Sequence, residues 1–324
     1  TTIHKFALDP ASIHTTYVGS GPVKGRVLNQ FAMDEHEGNL RVATTTGHLP
    51  SPDVHNTVAV MTLDEGELVI MGMVDHIAPK EDIRSVRFEG NVGFIVTFKK
   101  TDPLFVLDLS DPTDPKVKGE LKIPGYSTYM HMMDATHILS IGYDSDDMGD
   151  FAWFNGLLLQ VFDVSDMENP TLLHKHVIGT RGSASDAATN HLAFNYFASR
   201  NLLAIPIMVC EGGGNGMYGD QLTFNGLMVF RVTLEGGFQL IGGVPHVMPV
   251  VPGYENAGEM GDYNPSCSQW WSSATSQVKR SIFMEDYVYS IAMDLINVSY
   301  LTDLEHPLVS LELVTSDETE TSQP

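Results

Sequence analysis

The chain is 324 residues long and carries 41 acidic against 18 basic side chains, a formal net charge of −23. That charge repels phosphate backbones and anionic headgroups, so nucleic-acid binding is not expected. No stretch reaches the roughly 20 consecutive apolar residues of a membrane-spanning helix, and long helical periodicity is absent from the sequence.

What recurs instead is short β-branched and aromatic segments between Gly, Asp, Asn and Pro turns, an all-β pattern. In chain order, Ile3 to Leu8 and Ile13 to Val18 match only the third and fourth strands of a four-stranded unit. Residues 28–74 supply a full unit, with Leu40-Arg41-Val42-Ala43-Thr44 and Val58-Ala59-Val60-Met61-Thr62 inside it. Residues 83–124 repeat it as strand, turn, strand, loop, strand, turn, strand, and Ser110-Asp111-Pro112-Thr113-Asp114-Pro115 joins the third strand to the fourth. The next unit has Ile138-Leu139-Ser140-Ile141, Leu157 to Val164, and a second strand-Ser-Asp-x-x-x-Pro-strand join at Ser165-Asp166-Met167-Glu168-Asn169-Pro170. A fourth unit uses Leu202 to Ile207, Leu227 to Val232 and Phe238 to Val244, and a fifth runs from Ser281 to Leu313.

A repeat of about 40–50 residues holding four strands each is the signature of a β-propeller. The expected fold is therefore an all-β propeller of four-stranded blades spanning residues 1–314, with five complete blades and half a blade. Residues 315–324 are polar and acidic and read as a tail or linker. The half blade would leave an unpaired edge, so further N-terminal strands or blades are expected ahead of Thr1. The first residues also lack the basic and apolar regions of a signal peptide, consistent with a removed leader or a fragment.

Several segments carry a family resemblance: Leu28-Asn29-Gln30-Phe31-Ala32-Met33-Asp34, Leu40 to Gly47, Ser85-Val86-Arg87-Phe88, Asp102 to Pro112, Gly125-Tyr126-Ser127-Thr128-Tyr129, His137 to Tyr143 and Gln277-Val278-Lys279-Arg280-Ser281. In that order they resemble a family of bacterial and archaeal secreted proteins with a C-terminal β-propeller distantly related to WD repeats. The resemblance implies export and more propeller sequence upstream, and it supplies no catalytic residues.

Candidate sites are few. Asp144, Asp146, Asp147 and Asp150 place four carboxylates in an acidic loop of residues 144–150, the oxygen-rich composition that Ca²⁺ prefers, although without EF-hand spacing; a solvated turn is the alternative. Gln30, Arg84, Arg87, His131, His191 and Arg280 fall at or near the innermost strands, whose side chains line a propeller channel and can converge on a ligand. A hydrated polar channel is the other reading. His174 and His176 share one face of an outer strand. Cys210 ends a middle strand and Cys267 lies in the long connection of residues 245–276; a disulfide between them would tie that connection to its own blade, the alternative being two buried thiols. Trp270, Trp271, Tyr254 and Tyr263 in the same connection suit either partner contact or coverage of a propeller face.

No Gly-x-Ser-x-Gly elbow or His-Glu-x-x-His motif occurs in the sequence, so no hydrolase machinery is marked. The expectation is a non-enzymatic extracellular scaffold, secreted, periplasmic or on the cell surface, which binds a protein partner or surface component and is stabilised in places by calcium. Two alternatives are a metal-dependent hydrolase acting in the central channel and a copper- or zinc-binding surface protein.

Overall fold

The computed structural model describes residues 1–98, 102–123, 125–148, 152–246, 267–268 and 276–313, and these form five antiparallel-based sheets. The first sheet contains β1 (Thr2–Asp9), β2 (His14–Pro22), β3 (Met33–His36), β4 (Asn39–Thr46), β5 (His55–Asp64) and β6 (Glu67–Ile77) in the order β1-β2-β6-β5-β4-β3. The second is β7 (Asp82–Glu89), β8 (Val92–Phe98), β9 (Asp102–Asp108) and β10 (Lys116–Ile123); the third is β11 (Tyr126–Met132), β12 (His137–Asp147), β13 (Ala152–Asp163) and β14 (Thr171–Ile178). The fourth is β15 (Asn195–Phe197), β16 (Leu202–Glu211), β17 (Gln221–Thr233) and β18 (Gly237–Pro245); the fifth is β19 (Val278–Met284), β20 (Tyr287–Ala292), β21 (Leu295–Tyr300) and β22 (Val309–Glu312). The last four sheets, and β3 to β6 of the first, are four-stranded meanders in chain order, as the repeat anticipates. The hairpin of β1 and β2 is the half blade. It joins the outer strand β6 of the first sheet through a short parallel pairing of Ser20 with Glu67.

Contacts divide the chain into two compact units, residues 1–140 with 149–152 and 162–172, and residues 141–148 with 153–161 and 173–324. In the first unit the middle strands β8 and β9 of the second sheet are apolar on both faces and alternate between two cores. Ile95, Phe105 and Leu107 join Ala43, Val58 and Ile77 of the first sheet, whereas Phe94, Val96, Leu104 and Val106 join Met130, Ile138, Phe162 and Val164 of the third. The period of two along a strand sends successive side chains to opposite faces, so strands covered on both sides read as continuous apolar runs. In the second unit Ala204, Leu227, Val229 and Val244 of the fourth sheet pack on Val278, Val288 and Leu304 of the fifth. The outer strand β14 instead alternates exposed and half-buried positions.

The Ser-Asp-x-x-x-Pro joins do more than turn the chain. Asp108 Oδ1 accepts from the Ser110 amide at 3.0 Å and its hydroxyl at 2.6 Å, Asp111 Oδ1 accepts from the Thr113 amide at 2.9 Å, and Asp163 and Asp166 repeat this with the Ser165 and Glu168 amides. These side chains substitute for backbone partners and fix the turn. The turns then seat on glycine in the outer strand of the preceding sheet. A Cβ on Gly72 of β6 would lie 2.4 Å from the Pro112 carbonyl oxygen, and one on Gly119 of β10 would lie 2.1 Å from that of Met167. Gly119 also sits at a register break of β10 against β9, where a bulge bends the strand. A third copy escapes the sequence reading because threonine replaces serine: in Thr302-Asp303-Leu304-Glu305-His306-Pro307, Leu304 packs over Gly242 of β18.

Candidate functional site

Two capped turns hold candidate side chains at the surface. Before β3, the Asn29 side chain accepts from the Phe31 amide at 3.0 Å and starts a 3₁₀ turn, Gln30–Ala32. Before β15, Asn190 accepts from the Leu192 amide at 3.1 Å and starts the turn His191–Ala193. In both, the alanine is fully buried as an anchor, and the residues after the cap are held outward. Each turn packs against the first strand of the following sheet, the former on β7 and the latter on β19. The repeated Asn-x-Phe/Leu-Ala pattern was the available sequence signal for Phe31 and Leu192, which motif reasoning passes over in favour of titratable residues.

In the first unit this geometry assembles a cationic and aromatic patch. β7 also packs against β11. The Arg87 guanidinium stands over the Phe31 ring at 5.7 Å from its centroid; Phe31 meets Tyr129 edge-on at 5.3 Å, and Tyr129 lies 6.5 Å from His131. All four are half-buried. Burial pushes the Tyr129 phenol up against the pull of Arg87, and burial followed by the Arg87 charge pushes the His131 imidazole down, so His131 is neutral near pH 7. Arg84 pairs with Asp82 at 3.1 Å and Arg41 with Asp34. Arg87 makes no ion pair among the described residues, and its Nε has no hydrogen-bond partner. Of the six channel candidates, Gln30, Arg84, Arg87 and His131 thus belong to adjoining elements of this unit. His131 lies late in β11 rather than near its beginning, and Gln30 precedes its strand.

In the second unit His191, Leu192, Asn195, Phe197, Ile282 and Phe283 line an open cavity of about 380 Å³. Phe197 and Phe283 stack at 5.8 Å, and Asn195 donates to the Ser281 carbonyl at 3.0 Å. Arg280 is turned onto its own backbone, donating to the Lys279 carbonyl at 2.6 Å. Asp186 Oδ2 accepts from Lys279 Nζ at 2.8 Å and from the Ser276 amide and hydroxyl. Burial, and then Asp186, push the Tyr143 phenol up.

The acidic segment differs from the expected loop. Asp144 to Asp147 are the end of β12, because Tyr143 and Ser145 are buried on one face and keep the chain extended. Asp144 and Asp146 therefore fall on the other face. Lys175 Nζ lies 2.6 Å from Asp144, and Asn155 donates to Asp146 at 3.0 Å, so the chain's own groups already engage both. Asp150 and the Asp147 side chain lie outside the described residues, as do Tyr254, Tyr263, Trp270, Trp271 and the tail. His174 and His176 do share a face: His174 donates to the Leu234 carbonyl at 2.7 Å, and His176 packs edge-on against Phe230 at 5.6 Å. Cys210 and Cys267 form a disulfide with Cα atoms 5.8 Å apart, both fully buried. No helix among the described residues is long and apolar enough to cross a membrane.

Comparison with known proteins returns the same architecture. The chain is 37% identical over 204 residues to an uncharacterised protein of Archaeoglobus fulgidus, covering 63% of this chain and 30% of that protein. It is 42% identical over 160 residues to an uncharacterised protein of Methanocaldococcus jannaschii, covering 49% of this chain and 24% of that one. The matches thus span less than a third of the length of these relatives. Among solved structures, Sqt1 of Saccharomyces cerevisiae matches 95% of this chain and 67% of its own with a TM-score of 0.50 at 7% identity. Sqt1 of Chaetomium thermophilum matches 96% and 68% with the same TM-score at 10% identity. Those identities speak to the fold alone. Residues 1–304 match the model of the β-propeller domain family, and the chain belongs to that family.

Proposed function

We propose that the protein is a non-enzymatic interaction scaffold acting outside the cell, and that its recognition patch is Phe31, Arg87, Tyr129 and His131, which receives a carboxylate-bearing segment of a protein partner. One observation carries this reading: in a chain of net charge −23, Arg87 makes no ion pair among the described residues and is held over an aromatic ring. Arginine and tyrosine are the residue types that dominate binding at protein interfaces, and a planar guanidinium already stacked on one face is oriented to take a carboxylate with two hydrogen bonds. The buried Cys210–Cys267 disulfide supports an oxidising compartment. Calcium enters this reading as a stabiliser of residues 144–150; the ion must displace Lys175 from Asp144, and a calcium-dependent rise in Tm abolished by Asp146→Ala is the supporting result.

The test of the patch is titration of the purified chain with a fluorescein-labelled oligo-glutamate peptide, followed by polarisation. The overall charge repels such a peptide, so saturable binding marks a local site. Arg87→Ala is expected to weaken it about tenfold or more, and Arg87→Lys to restore only part, since an ammonium lacks the planar fork. Binding that is equal in all three proteins sinks the assignment.

A further inference from the structure

Among the described residues, one group of three or more His, Cys, Asp or Glu side chains is close enough to share a metal ion: His55, Asp75 and His76, whose ligand atoms lie within 4.8 Å of one another. None of the three stands out in the sequence, because 20 and 21 positions separate His55 from the other two and only the pairing of β5 with β6 unites them.

The pairing shows how. Asn56 faces Ile77 and Val58 faces Val74, so Asp75 and His76 together oppose the single residue Thr57. This is a bulge, a device that re-aims side chains at a sheet edge. His76 takes φ +58° there, a left-handed conformation that residues with a Cβ adopt at a cost and that clusters at ligand clamps. The bulge swings His76 beside His55, and the two rings stack at 4.3 Å with planes 2° apart. Thr57 Oγ1 donates to Asp75 Oδ1 at 2.5 Å and the His76 amide donates to the same oxygen at 2.8 Å, which fixes the carboxylate.

His55 is the decisive member. Its side chain is only 10% exposed. Its Nδ1 lies 2.8 Å from the Asp53 carbonyl, and a carbonyl can only accept, so Nδ1 carries the proton. In the neutral ring Nε2 is then a bare lone pair. That atom is buried without a hydrogen-bond partner and points toward Asp75 Oδ1, 3.6 Å away. A lone pair facing a carboxylate oxygen is repulsive unless a proton or a cation lies between them. A carbonyl on the far nitrogen is also the support that metal-bound histidines characteristically have.

We propose that His55 Nε2, a ring nitrogen of His76 and an Asp75 carboxylate oxygen form a binding site for a divalent transition metal of the Zn²⁺ class. Two imidazoles and a carboxylate are ligands of that class. His76 Nδ1 lies 3.0 Å from Asp75 Oδ2; with bonds of about 2.0–2.1 Å, tetrahedral donors sit roughly 3.3 Å apart, between this spacing and the 3.6 Å on the His55 side. Parallel rings cannot both aim lone pairs at one ion, so binding turns the His76 ring, 70% exposed, out of the stack while His55 stays on Asp53. Three protein ligands leave a position for water or for a group from a partner.

The experiment is calorimetric titration of chelator-stripped protein with ZnCl₂, alongside NMR of the histidine rings. One saturable equivalent is expected, with the His55 and His76 resonances shifting together. His55→Gln and His76→Ala abolish it. His76 is 70% exposed, so His76→Ala keeps a cooperative melting transition, which separates lost binding from lost folding. Thr57→Val, which frees the carboxylate, weakens binding about tenfold or more. His306→Gln, at the exposed His306–Asp303 pair 2.9 Å apart, leaves it unchanged. The proposal is overturned by an absence of saturable binding, by binding that survives His76→Ala and Asp75→Asn, or by a His55 ring protonated on both nitrogens that zinc does not displace.

Discussion

Removing the Cys210–Cys267 bond gives the clearest quantitative test of how the fourth blade is held. The bond closes a loop of 57 residues, and the chain-entropy relation for a loop of that length gives about 4 kcal/mol of unfolded-state constraint at 25 °C. The native state has its own reason to hold Cys267: a Cβ on Gly182, at φ +104°, would lie 2.0 Å from the Cys267 carbonyl oxygen, so that backbone packs directly on the glycine. Replacing both cysteines by alanine retains the docking surface and releases the constraint. Unfolding entropies near 2.1 cal/mol/K per residue translate the loss into a fall in Tm of roughly 6 °C if all 324 residues unfold together, and about twice that if the unit holding the bond melts alone. Denaturant and thermal melts of wild type and the double variant supply the comparison, and thiol titration of the unreduced, denatured protein is expected to find no free cysteine. A shift below about 1 °C, or two titratable thiols in the unreduced chain, refutes the reasoning.

Two further outcomes follow from the turns that latch successive sheets. Gly119→Ala is expected to cost roughly 1–3 kcal/mol, because the new methyl meets the Met167 carbonyl oxygen and the Pro170 ring; an unchanged denaturation midpoint removes the latch from the account. In Asp108 and Asp163 the Ser110 and Ser165 side-chain hydrogen bonds, then the amides of the same serines, hold the carboxyls below their ordinary value of 3.8. A carboxylate with a lowered folded pKa contributes stability that is full above the unfolded pKa and is lost as pH falls through the folded one. Tm should therefore hold down to about pH 4 as far as these groups are concerned and decline below it, and Asp108→Asn with Asp163→Asn, which keep an acceptor but do not titrate, should flatten that decline.

The blades were legible because their middle strands are long, apolar runs and because the Asp-rich joins need particular residues at fixed offsets. β16 is buried almost throughout, and Asp108 and Asp163 occupy the same place in their turns. The first strands were harder to read. β15 is three residues long, too short for periodicity, and its placement depends on the capped turn before it. The residues of the patch were half visible: Arg87 and His131 attract notice as polar groups on inner strands, whereas Phe31 and Tyr129 look like core. Four carboxylates in seven residues read as a loop, yet Tyr143 and Ser145 draw Asp144 to Asp147 into β12 and Lys175 answers Asp144 from another strand. His55, Asp75 and His76 could not be found from spacing, because a bulge between β5 and β6 brings them together.

The interaction reading stands or falls on Arg87, and NMR of the arginine Nε–H groups during titration with the oligo-glutamate peptide observes that residue itself. Arg87 Nε is buried without a hydrogen-bond partner, so its resonance reports its own guanidinium and should move saturably as the peptide binds the outer nitrogens, while that of Arg41, whose Nε donates to Asp34 at 2.7 Å, stays in place. An Arg87 signal that does not move, or one that moves no more than Arg41, contradicts the account.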